Sequence, residues 1–367
     1  MRIMSVVGAR PNFIKLAPVH RALAQRGDVE HVIVHTGQHY DDGLSGSFFS
    51  ELALPAPQRN LGVGSGTHGK QTAAILERCE AVCQDLAPDW VVVYGDVNST
   101  VAGALAAVKL GIKVAHVEAG LRSGDRAMPE EHNRILTDHL ADLLLAPSRD
   151  AVANLLKEGL PPDRIRFVGN VMIDALVAAL PTARALRAAE RRGLTAGSYA
   201  LVTLHRPSNV DDPQGLAELV GALDTIAGHL PVVFPLHPRA RRRLEEQGLT
   251  ARLARVHLVE PLPYLEMVSL VDSARLVITD SGGLQEETTF LGVPCLTVRA
   301  NTERPITVTH GTNRLVADVR GLVAAVLNGA RRQPPGARGA PGAIERWDGH
   351  AAERIAAALC ANEHFGW

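Results

Sequence analysis

The 367-residue chain carries 38 Lys and Arg against 39 Asp and Glu, a balance that argues against gripping nucleic acid or an anionic lipid surface by bulk electrostatics. Hydrophobic residues at 46% exclude a disordered chain, and no stretch reaches the ~18 uninterrupted apolar residues of a membrane span. At roughly 100–200 residues per domain the length favours two domains, and with aromatics at only 4% their cores must be built from Ala, Val and Leu.

Short β-branched runs alternate with helical stretches along the chain. Strands are expected at Ile3–Val7, His31–His35, Trp90–Tyr94, Lys113–Val117, Asp142–Ala146 and Arg166–Val168, with helices such as Ala73–Leu86, Val101–Leu110 and Glu130–Leu140 between them. The pattern restarts with strands at Ala200–Leu204, Val232–Pro235, Val256–Val259, Leu276–Thr279 and Cys295–Val298. Continuously apolar strands separated by helices imply parallel sheets covered on both faces. The expected fold is therefore α/β, with two Rossmann-like doubly wound domains, residues 1–170 and 171–348, facing a cleft. A last helix near 349–360 is expected to pack back on the first domain. The Pro-, Gly- and Arg-rich segment 331–342 reads as an exposed loop. The N-terminal apolar run is too short for a signal peptide. Cys79, Cys83, Cys295 and Cys360 form no CxxC and have no metal spacing, so they read as reduced thiols of a cytoplasmic protein.

In open α/β sheets ligands bind beyond the carboxyl ends of the strands, and polar clusters recur there. The first is Gly8-Ala9-Arg10-Pro11-Asn12-Phe13-Ile14-Lys15, where Arg10 and Lys15 flank a helix start that already favours an anion. Phosphate binding and a plain capped helix with two cations are equally good readings of this segment alone. It is not a GxGxxG, so a nicotinamide site has little support. Thr36-Gly37-Gln38-His39 forms the next polar loop. Asp96 follows the strand Trp90–Tyr94, either as a helix cap or as a carboxylate at the cleft mouth. The densest cluster joins Glu118, just after a strand and flanked by apolar residues, to Glu130, Glu131 and Arg134 at the next helix start. Burial raises the pKa of a carboxyl and readies it for acid/base work, while a helix N-terminus stabilises its ionised form. An ordinary acidic first turn explains one of the two glutamates but not Asp96, Glu118 and Glu130 together.

In the second half, His205-Arg206-Pro207-Ser208-Asn209 and His237-Pro238-Arg239 follow strands; a structural role is favoured for His237. The most informative segment is Asp280-Ser281-Gly282-Gly283-Leu284-Gln285-Glu286-Glu287. Its glycines admit a pyrophosphate, the helix start offers amide donors, and Glu287 lies one turn on, placed to accept ribose hydroxyls. With Arg304 near the next strand end, the set points to a nucleoside diphosphate.

Together GARPNFIKLAP, TGQHYD, GDVNST, HVEAGLRSGD, MPEEHNR, LHRPSN, DSGGLQEE, LGVP and TERP, spanning residues 8 to about 313 in order, closely resemble the non-hydrolysing UDP-N-acetylglucosamine 2-epimerase family. The resemblance implies a fold like the B-type glycosyltransferases, with UDP against the C-terminal domain. It implies that Arg10, His205, Ser281, Gly282, Glu287 and Arg304 hold the nucleotide, with Lys15, Glu131, Arg134, Asn209 and Gly283 as further binding candidates. It assigns proton transfer to Asp96, Glu118 and Glu130, with His205 also catalytic. The family's reaction eliminates UDP to a 2-acetamidoglucal and adds it back after reprotonation at C2 from the other face. It calls for neither NAD nor a metal, and its members are expected to be homodimers. Asn12 and Ser208 stand where the family usually carries an acidic residue. Many bacterial members bind a second UDP-N-acetylglucosamine as activator; here Gln38 and His39 of that segment remain, whereas Asp41 and Lys70 depart from it.

Four alternatives remain open: an epimerase of another UDP-2-acetamido sugar (a 2,3-diacetamido uronic acid, for example), a hydrolysing epimerase, and outside this chemistry a glycosyltransferase or a nucleotide-sugar sensor. A glycosyltransferase does not need Glu118 and Glu130 together, and a sensor has no reason to keep the three carboxylates.

Overall fold

A computed structural model describes residues 1–38, 49, 51–332 and 344–361. The expectations for His39–Asp41 and for residues 333–342 fall outside the described residues. The chain divides into two compact units, Met1–Ala175 with the segment beginning at Glu345, and Leu176–Ile344.

In the first unit the elements run β1 (Arg2–Val7), α1 (Arg10–Ala24), β2 (Glu30–His35), β3 (Arg59–Asn60), α2 (His68–Leu86), β4 (Trp90–Tyr94), α3 (Asn98–Lys109), β5 (Lys113–Val117), α4 (Pro129–Leu140), β6 (Leu143–Ala146), α5 (Arg149–Lys157) and β7 (Ile165–Phe167), followed by α6 (Val171–Leu186). All pairs are parallel, in the order β3-β2-β1-β4-β5-β6-β7. The strand β4, Trp-Val-Val-Val-Tyr, is buried along its whole length, as a central strand covered on both faces must be. Helix α3 is rich in Ala and carries Gly103 on the sheet side, so it lies close on the sheet; a Cβ on Gly103 would sit 3.1 Å from Val6. The core joins Met4, Val6, Val32, Val34, Val91, Val93 and Leu144 to Ile75, Cys79 and Cys83 of α2.

In the second unit the elements are β8 (Ala200–Thr203), α7 (Pro207–Val210), α8 (Pro213–Ala227), β9 (Val232–Pro235), α9 (Pro238–Glu246), β10 (His257–Val259), α10 (Tyr264–Ser273), β11 (Leu276–Thr279), α11 (Gly282–Leu291), β12 (Cys295–Thr297), α12 (Ile306–Thr309), β13 (Asn313–Leu315) and α13 (Val319–Arg332). Its sheet order is β10-β9-β8-β11-β12-β13, again parallel. Helix α13 runs two residues into the segment read from sequence as loop, through Arg331 and Arg332. The last helix, α14 (Ala351–Cys360), belongs to the first unit. Its first amides are held by the buried carboxylate of Asp174, at 3.1 Å from Ala351 and 2.7 Å from Ala352, an anion at a helix N-terminus.

Both sheets share one logic. Each reverses its strand order between its first and fourth strands, β1 and β4 in one, β8 and β11 in the other, and that switch point leaves a crevice at the carboxyl ends. The cysteines are free; Cys79, Cys83 and Cys295 are buried and Cys360 is partly exposed. Among the described residues no helix is long and apolar enough to cross a membrane.

Candidate functional site

At the switch point of the first sheet, Asn12 is buried and ties the two crossing loops together. Its Oδ1 accepts from the amides of Gly8 and Ala9, at 3.2 and 3.1 Å, and its Nδ2 donates to the carbonyl of Tyr94 at 2.9 Å. An amide does both jobs, whereas an acidic residue at this position would bring no donor for Tyr94. Lys15 does not face a free anion. Its ammonium pairs with Oε2 of Glu118, and both side chains are almost wholly buried, at 6% and 5% exposure. Glu118 is as buried as its apolar neighbours predict, and a charge so buried needs such a partner. Glu118 also sits at φ 76°, in the left-handed region that side-chain-bearing residues seldom occupy and that gathers at functional sites. Gly95 has φ 65°, and a Cβ there would meet Lys15 Nζ at 2.7 Å and Glu118 Oε2 at 3.1 Å, so the β4 turn has room only for glycine against this pair.

Asp96 is half-buried and does not cap α3, whose N-cap is Val97. Its carboxylate pairs with Arg134, which is itself buried and also grips Glu131. Glu131 accepts from the amides of Ser123 (3.0 Å) and Gly124 (2.8 Å). Burial pushes its carboxyl up, but the Ser123 bond, Arg134 and the Gly124 bond together outweigh this and hold it below the ordinary value. Glu131 and Arg134, both expected at the ligand, also brace the site: Glu131 fixes the loop after β5, and Arg134 carries Asp96. Glu130, one residue earlier, is half-buried and has no side-chain hydrogen bond or ion pair among the described residues; the same holds for Arg10 at the first position of α1.

Gln38 is buried and its amide oxygen accepts from the backbone (3.0 Å) and hydroxyl (2.6 Å) of Ser99, so it joins β2 to α3. Lys70 is exposed on α2, and His39 lies outside the described residues. A cavity of about 480 Å³ beside Asn98 and Asn133 is lined also by His68, Pro129 and His132.

At the switch point of the second sheet the organising residue is Asp280, fully buried. It accepts from the amides of His205 and Arg206 (3.0 and 2.8 Å) and from Asn209 Nδ2 (3.0 Å), and its other oxygen lies 2.9 Å from His205 Nδ1. Burial opposes its charge, but His205 and these bonds outweigh the opposition and hold the carboxyl low. The arrangement fixes the imidazole and leaves His205, 41% exposed, with Nε2 unpartnered among the described residues. Asn209 also donates to the Val298 carbonyl at 3.0 Å, so it braces Asp280 and is spoken for. His237 caps α9, its Nδ1 accepting from the Arg239 amide at 3.2 Å, in line with its structural reading.

Ser281 is the N-cap of α11 without a side-chain cap bond, and Gly282 and Gly283 open that helix, half-exposed. Their amides are among those a helix start leaves without intrahelical partners, a site suited to phosphate. Arg304, expected on the phosphates, is buried in ion pairs with Glu286 (2.8 Å) and Glu303 (2.6 Å), packed under Gly282. Glu287 is buried against Tyr264, whose hydroxyl lies 3.4 Å away; burial and the charge of Glu286 push its carboxyl up to about 8. Among the described residues no group of three or more His, Cys, Asp or Glu converges as a metal site.

The chain thus carries carboxylates at one switch point and a Ser-Gly-Gly helix start with a carboxylate-held histidine at the other. The family model for UDP-N-acetylglucosamine 2-epimerase matches residues 21–360. The chain belongs to the UDP-N-acetylglucosamine 2-epimerase family. With it the chain belongs to the isomerases. It is 46% identical over 326 residues to a UDP-N-acetylglucosamine 2-epimerase of Methanocaldococcus jannaschii, covering 87% of this chain and 89% of that one. It is 44% identical over 327 residues to a UDP-2,3-diacetamido-2,3-dideoxy-D-glucuronate 2-epimerase of Pseudomonas aeruginosa, covering 88% and 90%. The solved structure of the Methanocaldococcus jannaschii UDP-GlcNAc 2-epimerase in complex with UDP-GlcNAc and UDP matches with TM-score 0.89 at 42% identity, covering 98% of this chain and 99% of that chain. The α/β fold with two doubly wound parallel sheets is thus the fold of this family.

Sequence reasoning about the epimerase missed Asp280 as an organiser and Lys15 as the partner of Glu118. Asp280 lay in plain view in the Ser-Gly-Gly motif. Its role shows only when β8 and β11 lie side by side and bring His205, 75 residues away, onto it.

Proposed function

We propose that this epimerase interconverts UDP-N-acetylglucosamine and UDP-N-acetylmannosamine at C2 by eliminating UDP to a 2-acetamidoglucal and adding it back. The observation that carries the reading is the buried Lys15–Glu118 pair packed against Gly95, the residue before Asp96, at one switch point. A nucleotide-binding turn alone serves many enzymes, but carboxylates held this way serve proton transfer at carbon.

The division of labour follows from the residues. Ser281 and the amides of Gly282 and Gly283 take the phosphates, and Glu287 takes the ribose hydroxyls. His205 Nε2, aimed by Asp280, and Arg10, which has no side-chain partner among the described residues, stabilise charge on the departing UDP. One carboxylate among Asp96, Glu118 and Glu130 removes the C2 proton as the C1–O bond breaks, the electron pair leaving with the UDP oxygen. The glycal then takes a proton at C2 on the opposite face from another carboxylate as UDP returns to C1, so the cycle is redox-neutral. On the family resemblance alone, the reading includes a cytoplasmic homodimer serving polysaccharide synthesis.

The 44% identity to the diacetamido-glucuronate epimerase supports a second reading, the same chemistry on a UDP-2,3-diacetamido uronic acid. Product analysis by NMR with each UDP-sugar separates the two. UDP-N-acetylmannosamine from UDP-N-acetylglucosamine supports the first reading; turnover of the diacetamido uronate alone supports the second. Free N-acetylmannosamine plus UDP marks a hydrolysing enzyme. Glu118→Gln should lower turnover by roughly 10²–10⁴-fold with UDP binding retained; loss of both would make Glu118 structural.

A further inference from the structure

Glu118 holds its left-handed backbone because its neighbours are pinned on both sides. Its own amide donates to the Leu145 carbonyl of β6 at 3.1 Å. The remaining constraints converge on one carboxylate, Asp138 of α4, which is fully buried. Its Oδ1 lies 2.6 Å from Nδ1 of His116, two residues before Glu118. Its Oδ2 accepts from the Gly120 amide at 3.0 Å, two residues after Glu118, and pairs with Arg122 at 2.7 Å. The other nitrogen of His116 donates to the carbonyl of Gly95 at 2.8 Å, the glycine against which Glu118 and Lys15 pack. Burial opposes the charge on Asp138, and His116 and Arg122 overcome it.

We propose that Asp138 is a positioning residue for the reaction: by gripping His116, Gly120 and Arg122 it imposes the left-handed turn that aims the Glu118 carboxylate at Lys15 and the β4 turn. A backbone conformation of this kind persists only where its surroundings over-determine it, and here they do so through a fully buried side chain. The inference rests on the assignment of proton transfer to Glu118.

The test is a double-mutant cycle on C2–deuterium exchange, with turnover counted per UDP-binding site titrated by calorimetry. Asp138→Asn should lower exchange at least tenfold and leave the KM for UDP-N-acetylglucosamine within twofold. In the Glu118→Gln background the same substitution should cost less than twofold, because residues that act as a unit are not additive. Equal losses in both backgrounds would show a merely structural role and overturn the proposal, as would wild-type exchange in Asp138→Asn. If that variant fails to fold, His116→Gln, which keeps a donor for the Gly95 carbonyl, enters the same cycle with the same criteria. A crystal structure of the folded variant reads the geometry directly. Glu118 is expected to leave the left-handed region, and an unchanged φ near 76° would overturn the proposal whatever the activity. Absence of exchange in the wild-type protein would instead indict the reading of Glu118, and the crystallographic result would still decide the role of Asp138.

Discussion

Replacing Lys15 by Met removes the ammonium that pairs with Glu118, in a site where the two side chains are 6% and 5% exposed. Taking one member of a buried pair leaves the other charge without compensation and costs about 3–5 kcal/mol. The first unit has about 200 residues, and at ~2–4 °C per kcal/mol for that size its melting transition should fall by roughly 6–20 °C. Lys15→Met with Glu118→Gln removes both charges and should recover most of that loss. Two units need not melt together, so scanning calorimetry with and without UDP is the assay. UDP should raise the second unit's transition and so identify which one Lys15→Met lowers. A shift below about 2 °C in the single variant, or a double variant as unstable as the single, would refute the idea that Glu118 is held charged by Lys15.

Glu287 links UDP affinity to pH. Its folded carboxyl, raised to about 8, keeps a proton that the unfolded chain loses above its ordinary value of 4.5, so the second unit's stability falls as pH rises from 4.5 to about 8, where the unfolded carboxyl is ionised and the folded one is not. Ribose hydroxyls donating to the carboxylate require it ionised; UDP binding between pH 7 and 8 should therefore release a proton and strengthen by up to about tenfold per pH unit. Calorimetry in buffers of different ionisation enthalpy measures the release, and a flat profile shared with Glu287→Gln would contradict it. Gly8→Ala should destabilise the first unit, since its Cβ would collide with the hydroxyls of Ser99 and Thr36, which hydrogen-bond each other at 2.8 Å. A melting transition unchanged within 1 °C would show that the turn gives way freely.

Much of this arrangement was legible in the sequence because the strands are continuous apolar runs. Trp90–Tyr94, Lys113–Val117, Val232–Pro235 and Leu276–Thr279 match the expected strands residue for residue, and their ends carry the polar clusters. Edge strands of two or three residues, Arg59–Asn60 and Asn313–Leu315, are too short to show alternation and were not expected. Helix α2 starts at His68 rather than Ala73 because its first turn, His-Gly-Lys-Gln, has no apolar stripe to announce it. Partnership was the least legible feature. Lys15 and Glu118 lie 103 residues apart, and sequence offers no reason to prefer a glutamate over a phosphate as the ammonium's neighbour. Likewise Arg304 reads as a free cation until Glu286 and Glu303 are seen to neutralise it. Nothing local marks Glu118 as left-handed, since that conformation is imposed by Asp138 and Leu145 from other elements.

The central claim is that a carboxylate of this chain takes the C2 proton of a UDP-2-acetamido sugar and that solvent-derived hydrogen returns there. Incubation with UDP-N-acetylglucosamine in heavy water, followed by NMR, tests it most directly. The account predicts deuterium at C2 of the sugar together with formation of UDP-N-acetylmannosamine. Epimerised product that retains the original C2 hydrogen would contradict it.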